Sequence, residues 1–348
     1  MSVRNVIEGA SVARLLKLRE RIALGGGLLA FAFGALFILL VCFVDYLSPS
    51  GEVVPPFIKH IIFLVLIYSI LTLSLNFVSG FIGQVSFGHA AFFGFGAYAS
   101  AILTLDYRWS FWTAFLAAGV ISGMLGIPAG APALRTKGNF LAVITYGFAE
   151  VVRFVALNLD ITGGPSGLPG IPTPRLFKDF SSIGPTGKEA FIILAFLLAA
   201  FIAYFTSRVE QSRTGRAFAA IREDEIAALA MGININYYKL LAFVLGAVFA
   251  GFAGSLFAHY TRFVSPEILT SDQSVLILTM VIFGGPRSIK GSFVGATVLV
   301  LIPEVLHSLK DILGLPYDPW LICYGFILIL MMRVRPQGLF GDRSIFAK

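Results

Sequence analysis

The sequence predicts an all-α protein, a polytopic transmembrane helical bundle of about ten spans with both termini cytoplasmic. Composition is the first reason. Of 348 residues, 57% are hydrophobic and only 13% charged, against roughly 25% charged residues in a soluble domain. No polar run approaches the roughly 50 residues a soluble domain needs. The second reason is a series of apolar runs near 22–44, 58–78, 85–105, 110–131, 139–158, 190–206, 240–260, 273–284, 292–309 and 319–332. Most can cross about 30 Å of hydrocarbon, although the eighth and tenth are short for a full crossing. The third is the basic residues: alternating the spans puts 18 of the 26 Lys and Arg on the cytoplasmic side and seven opposite, with Arg153 inside a span. That asymmetry is the positive-inside bias. It accounts for the net charge of +7 without nucleic acid.

In chain order, residues 1–21 are a basic cytoplasmic segment and the run Ile22–Val44 reads as a retained signal anchor, since no small-residue cleavage site follows it. Residues 22–336 form the transmembrane domain and 337–348 a cytoplasmic tail. Cys42 and Cys323 both sit in apolar runs, so they imply neither a disulfide nor a metal site. The longest outside loop, Leu159–Glu189, is rich in Gly and Pro, which enforces turns and extended backbone. It suits a lid or docking surface, or a plain connector.

The stretch Gly80–Leu103 has small residues at helical spacing, which lets helices approach closely in lipid. Gln84, Ser86 and His89 give that span a polar edge near its cytoplasmic end, and polar groups there need partners or water. Gly284–Ala296 echoes the pattern, with Gly285 and Ser288 matching Gly83 and Ser86, as an internal duplication would. Glu150 and Arg153 share a helix face inside the fifth run. They read either as an interhelical charge pair or as an outer vestibule for a charged solute. Gln84, Ser86, His89 and Glu150 are therefore the candidate pathway residues.

One charged, helix-forming island, 207–239, interrupts the apolar chain. Thr214 and Asp224 are candidate N-caps for two short helices, and Gly232 suits the left-handed residue that ends the second. Phe218 and Ile221, three apart, are expected to project as an apolar knob. No phosphate-binding loop, zinc-protease motif or hydrolase triad appears, which argues against a membrane enzyme.

These residues resemble a known family. Glu225-x-Ala227-Ala228-x-x-x-Gly232, preceded by SRTGRAFAAIRED, is similar to the EAA signature of bacterial ABC-importer permeases. Gly80–Tyr98, ITGGPSGLPGIP, KLLAFVLGAVFAGFAGSLFAHYTRFVSPE and VIFGGPRSIKGSFVGA are similar to segments of branched-chain amino-acid permeases, over about residues 60–340. The resemblance implies a multi-pass subunit of the bacterial cytoplasmic (inner) membrane that binds no cofactor itself. ATP and Mg would sit in two cytoplasmic ATPase subunits; a second permease chain and an extracytoplasmic solute-binding protein would complete the importer. It also implies that the island is the coupling region, with Gly215, Arg216, Glu225, Ala228 and Gly232 in the ATPase contact beside Phe218 and Ile221. Urea or short-amide permeases share these motifs. An ion-coupled transporter acting alone would show broken helices and buried carboxylates near the midplane, for which Glu150 is the candidate.

Overall fold

The computed structural model describes residues 55–134, 139–174, 187–313, 320–335 and 337–341. The expected basic segment 1–21, the Ile22–Val44 run, Arg135, Lys137, much of the Leu159–Glu189 loop and most of the tail lie outside the described residues. Within the unit Pro56–Lys348 the described residues are mostly helical. Its helices are α1 (Pro56–Asn76), α2 (His89–Leu105), α3 (Phe111–Gly130), α4 (Asn139–Asn158), α5 (Gly187–Gln211), α6 (Arg213–Glu223), α7 (Glu225–Ala230), α8 (Ile235–Thr261), α9 (Ser271–Gly284), α10 (Ile289–Leu313) and α11 (Trp320–Val334). Among the described residues, five are long and apolar enough to cross a membrane: α1 with its extension, α3, α4, α5 and α8. The fold is that of a helical membrane protein.

α8 is the central post, packed most extensively against α3 and α2. Glycines make this possible. A Cβ on Gly96 of α2 would lie 2.4 Å from the Cα of Gly251 on α8, and one on Gly254 would lie 2.0 Å from the Phe93 carbonyl oxygen. Helices at that distance gain backbone-to-backbone dispersion contacts, the main source of association where lipid is as apolar as the side chains. α3 turns Ala114, Ala118 and Ser122 inward and, beyond a first turn where Trp112 and Thr113 are exposed, leaves Leu116, Val120, Met124 and Ile127 exposed as an apolar stripe.

Two helices begin inside the bundle. α1 continues as a π-helical turn, Phe77–Ile82, which stops at Gly83 in the left-handed region (φ 78°). Residues 83–88 then run non-helically back into the bundle. At His89, where α2 starts, the ring Nε2 lies 2.7 Å from Ser74 Oγ. That level is beside Gly246, about eleven residues and 16 Å into α8 at 1.5 Å per residue. The expected continuous helix from residue 85 is thus replaced by a re-entrant segment. Gln84 and Ser86 belong to that segment and not to the edge of a span. From the opposite end, Phe263–Val264 (β2) pairs antiparallel with Leu168–Pro169 (β1). The chain then descends through a 3₁₀ turn, Pro266–Leu269, whose Leu269 packs where α2 has Gly94. The 14-residue α9 starts at Ser271, level with Glu150 of α4. This explains its shortness: its remaining depth is covered by irregular chain. Non-helical backbone at membrane depth needs protein or water around it. Here the Phe87 amide donates to Thr145 Oγ1 (3.0 Å) and the Ala90 amide to Ser274 Oγ (3.0 Å).

Candidate functional site: a helical bracket and an interrupted pathway

The island folds as a bracket clamped to one end of the bundle. α6 is capped by Ser212, whose Oγ accepts from the Gly215 amide at 3.3 Å. The expected cap, Thr214, lies inside the helix instead; the chain turns two residues earlier because α5 continues to Gln211. Asp224 caps α7, accepting from the Ile226 and Ala227 amides at 2.7 and 3.1 Å. Gly232 has φ 79°, the left-handed conformation that ends such a helix.

Phe218 and Ile221 do not project. Both are buried; Phe218 packs against Phe81 of the π-turn (ring centroids 6.4 Å) and Tyr238 of α8 (6.0 Å). Their three-residue spacing does define an apolar face, but the bundle's own π-turn is the surface that takes it. Arg222, one residue on, donates from Nη1 to the Gly80 carbonyl at 2.6 Å. Burial chiefly, and the Arg287 charge beside it, hold the Arg222 guanidinium below its ordinary value. The Gly215 backbone rests on the carbonyls of Val209 and Glu210, while Arg216 is exposed and reaches the Gln211 carbonyl at 3.3 Å. Ala228 is buried, and Glu225 pairs with the buried Lys239 at 2.7 Å. The large apolar side chains left outward are on α7 and just beyond it: Ile226 (71% exposed), Leu229 (63%) and Met231 (83%).

Sequence reasoning missed the joint beneath the bracket. The Asn76 side chain accepts from the Arg287 amide at 2.8 Å and donates to Ser292 Oγ at 3.3 Å, tying the end of α1 to the α9–α10 link. Arg287 holds φ 67°, an uncommon conformation for a residue with a Cβ, and its guanidinium pairs with Glu210 of α5 at 3.4 Å. The signal was present: an asparagine inside an apolar run is a polar group at membrane depth.

The pathway candidates fall into two places. His89 is buried between α1 and α8, and Ser86 is buried with its Oγ accepting from the Gly88 amide at 3.4 Å. Gln84 is buried beside them in the chain, and its Oε1 has no hydrogen-bond partner. Glu150 stands apart on α4. It accepts from Ser271 Oγ and pairs with Arg153 at 3.2 Å. Among the described residues, no three His, Cys, Asp or Glu side chains gather as a metal site would require.

A family model described as the permease component of branched-chain amino acid transport systems matches residues 57–332. The chain belongs to this family. It is 38% identical to the high-affinity branched-chain amino acid transport system permease protein LivM of Escherichia coli over 296 residues, which are 79% of this chain and 68% of that one. It is 28% identical to the probable branched-chain amino acid transport permease protein LivM of Methanocaldococcus jannaschii, covering 65% and 68%. It is also 26% identical to LivH, a second permease protein of the same name series in Escherichia coli, covering 80% and 92%. These relatives are transport permeases and not enzymes. No solved structure matches the chain. The matched region contains the bracket, both re-entrant segments and the Glu150–Arg153 pair, so each belongs to the permease body.

Proposed function

We propose that this chain is a permease subunit of an ATP-driven ABC importer for branched-chain amino acids, in the bacterial cytoplasmic membrane. In this reading ten spans leave both termini cytoplasmic, and the α1–α2 and α9–α10 junctions are the traces of an internal duplication. A related permease chain is the partner, a reading supported by the similarity to both LivM and LivH proteins. Two ATPase subunits hold the ATP and Mg, and a solute-binding protein docks at the end opposite the bracket.

One observation carries the coupling role. The bracket has an exposed apolar surface, Ile226, Leu229 and Met231, and a buried face locked to the π-turn through Phe218 and Arg222. An ATPase that moves the outer surface therefore drags the π-turn. The π-turn leads directly into residues 83–88, the re-entrant segment inside the bundle. Such a linkage transmits work only if the bracket's contacts differ between two states of the pathway. A six-residue π-turn suits this, because π-helical turns are rare and occur often at functional sites.

The test is uptake by the complete complex in proteoliposomes, comparing leucine with urea, for wild type and Arg222→Ala. Leucine uptake that needs ATP and binding protein, and that Arg222→Ala abolishes while ATP hydrolysis continues, supports both the activity and the linkage. Urea uptake in place of leucine points to the urea or amide reading. Because interrupted helices also suit ion-coupled carriers, uptake by this chain alone on an ion gradient would overturn the ABC assignment.

A further inference from the structure

We infer that Glu150 and Arg153 form a binding site for the two backbone charges of a zwitterionic aliphatic amino acid, on the outward face of α4; the inference rests on the importer reading above. The exposed faces of α3 and α4 differ in kind. The α3 stripe from Leu116 to Ile127 is apolar, as a lipid-facing stripe should be, and carries no charge. The α4 face carries an ion pair 3.2 Å apart, with 35% of the Glu150 and 37% of the Arg153 side chain exposed. Placing those groups against hydrocarbon is unfavourable even when they are paired, so this part of α4 faces something polar.

The surroundings describe what that is. The pair borders an open surface groove of about 320 Å³ formed by side chains of α4 alone: Glu150, Val151, Arg153, Phe154, Val155 and Leu157. Its walls are aliphatic and aromatic apart from one anion and one cation. Arg153 Nε is buried without a hydrogen-bond partner, an unmet donor that a carboxylate would satisfy. Glu150 is oriented by Ser271 at the start of α9, so the pair stands where the re-entrant chain from the end opposite the bracket reaches the bundle. An amino acid offers matching chemistry. Its ammonium would meet Glu150, its carboxylate would meet Arg153, and a branched side chain would lie on Val151, Phe154 and Val155. With no ligand bound the two residues neutralise each other, so the face carries no net charge.

The experiment is thiol protection in the assembled importer. Val151→Cys is made in a Cys42→Ser/Cys323→Ser background, and its labelling by a water-soluble maleimide is timed with leucine, isovalerate or isopentylamine present. Isovalerate and isopentylamine keep the aliphatic tail and carry only one of the two charges. The expected result is that leucine at ten times its dissociation constant slows labelling about tenfold. Neither single-charge analogue should do so, and Glu150→Gln should weaken leucine's affinity by about tenfold or more, so that the same leucine concentration slows labelling by about twofold or less. Equal protection by an analogue overturns the zwitterion assignment. An unreactive Val151→Cys thiol means that the partner permease or lipid covers the face, and also overturns it. Failure of leucine to protect, in a complex that still performs ATP-driven leucine uptake, removes this site and leaves the importer reading standing. Loss of uptake in the unsubstituted complex removes the importer reading itself.

Discussion

The α2–α3–α8 core and the α6–α7 bracket hold helices together by different means. In the core, the contacts are backbone against backbone at Gly96, Gly251 and Gly254, many of them and each weak. At the bracket, a few strong anchors do the work: the Phe218 ring, the Arg222–Gly80 hydrogen bond and the Glu225–Lys239 pair. The lesson is about where each chemistry is available. In lipid, close approach is the main gain, so small residues decide. At the aqueous edge, large apolar groups can be buried from water and charge-assisted bonds form beside them.

Substitutions can break this comparison. Gly254→Leu should have the largest effect, because its Cβ alone meets the Phe93 carbonyl and the Ala97 amide nitrogen. The cost should exceed the roughly 1–3 kcal/mol of ordinary over-packing, since backbone cannot step aside as a side chain can. Size-exclusion profiles of detergent-solubilised protein should show loss of the folded species, and a normal profile would contradict the close packing. Phe218→Ala comes next, at about 3–5 kcal/mol for an emptied aromatic site. That loss should fall on the bracket alone, seen as rapid proteolysis between 207 and 239 with the apolar helices intact.

Arg222→Ala should cost about 1.5–3 kcal/mol, the range for a hydrogen bond to a charged group, and should separate ATP hydrolysis from uptake. Arg222→Lys retains the charge and loses the forked geometry, so partial recovery of uptake would show that charge matters as well as shape. Glu225→Gln takes the carboxylate away from the buried Lys239 ammonium; the amide keeps one acceptor oxygen and Glu225 is itself partly exposed, so the cost should be about 1–3 kcal/mol, below the full penalty for breaking a wholly buried pair. A shift in thermal unfolding as large as that of Phe218→Ala would reverse the ranking. Ile226→Ala sharpens the contrast most finely. Its side chain is exposed, so stability should change by no more than about 0.5 kcal/mol, while, on the importer reading proposed above, co-elution with ATPase subunits should weaken.

Much of this was legible because it follows from local rules. The small-residue spacing after Gly88, the Asp224 cap and the left-handed Gly232 are consequences of residue type and position. The short apolar run near 273–284 was legible as an anomaly, and α9 explains it as a helix that begins inside the bundle. The bracket's polarity was the main thing misread. Phe218 and Ile221 form an apolar face in any helix, but which surface covers that face depends on Phe81 and Tyr238, far away in sequence. The same holds for Asn76, whose partners Arg287 and Ser292 lie more than two hundred positions along the chain.

The sequence by itself determined the membrane class, the family and the Asp224 and Gly232 ends of α7, because hydrophobic length, motif spacing and capping act over a few residues. Tertiary structure alone decided that α2 and α9 start at mid-depth, that the bracket grips a π-turn, and that a charge pair stands on an outward face of α4. Those features depend on which distant polar groups satisfy one another where water is scarce. A linear pattern records that such groups exist, but only packing assigns their partners.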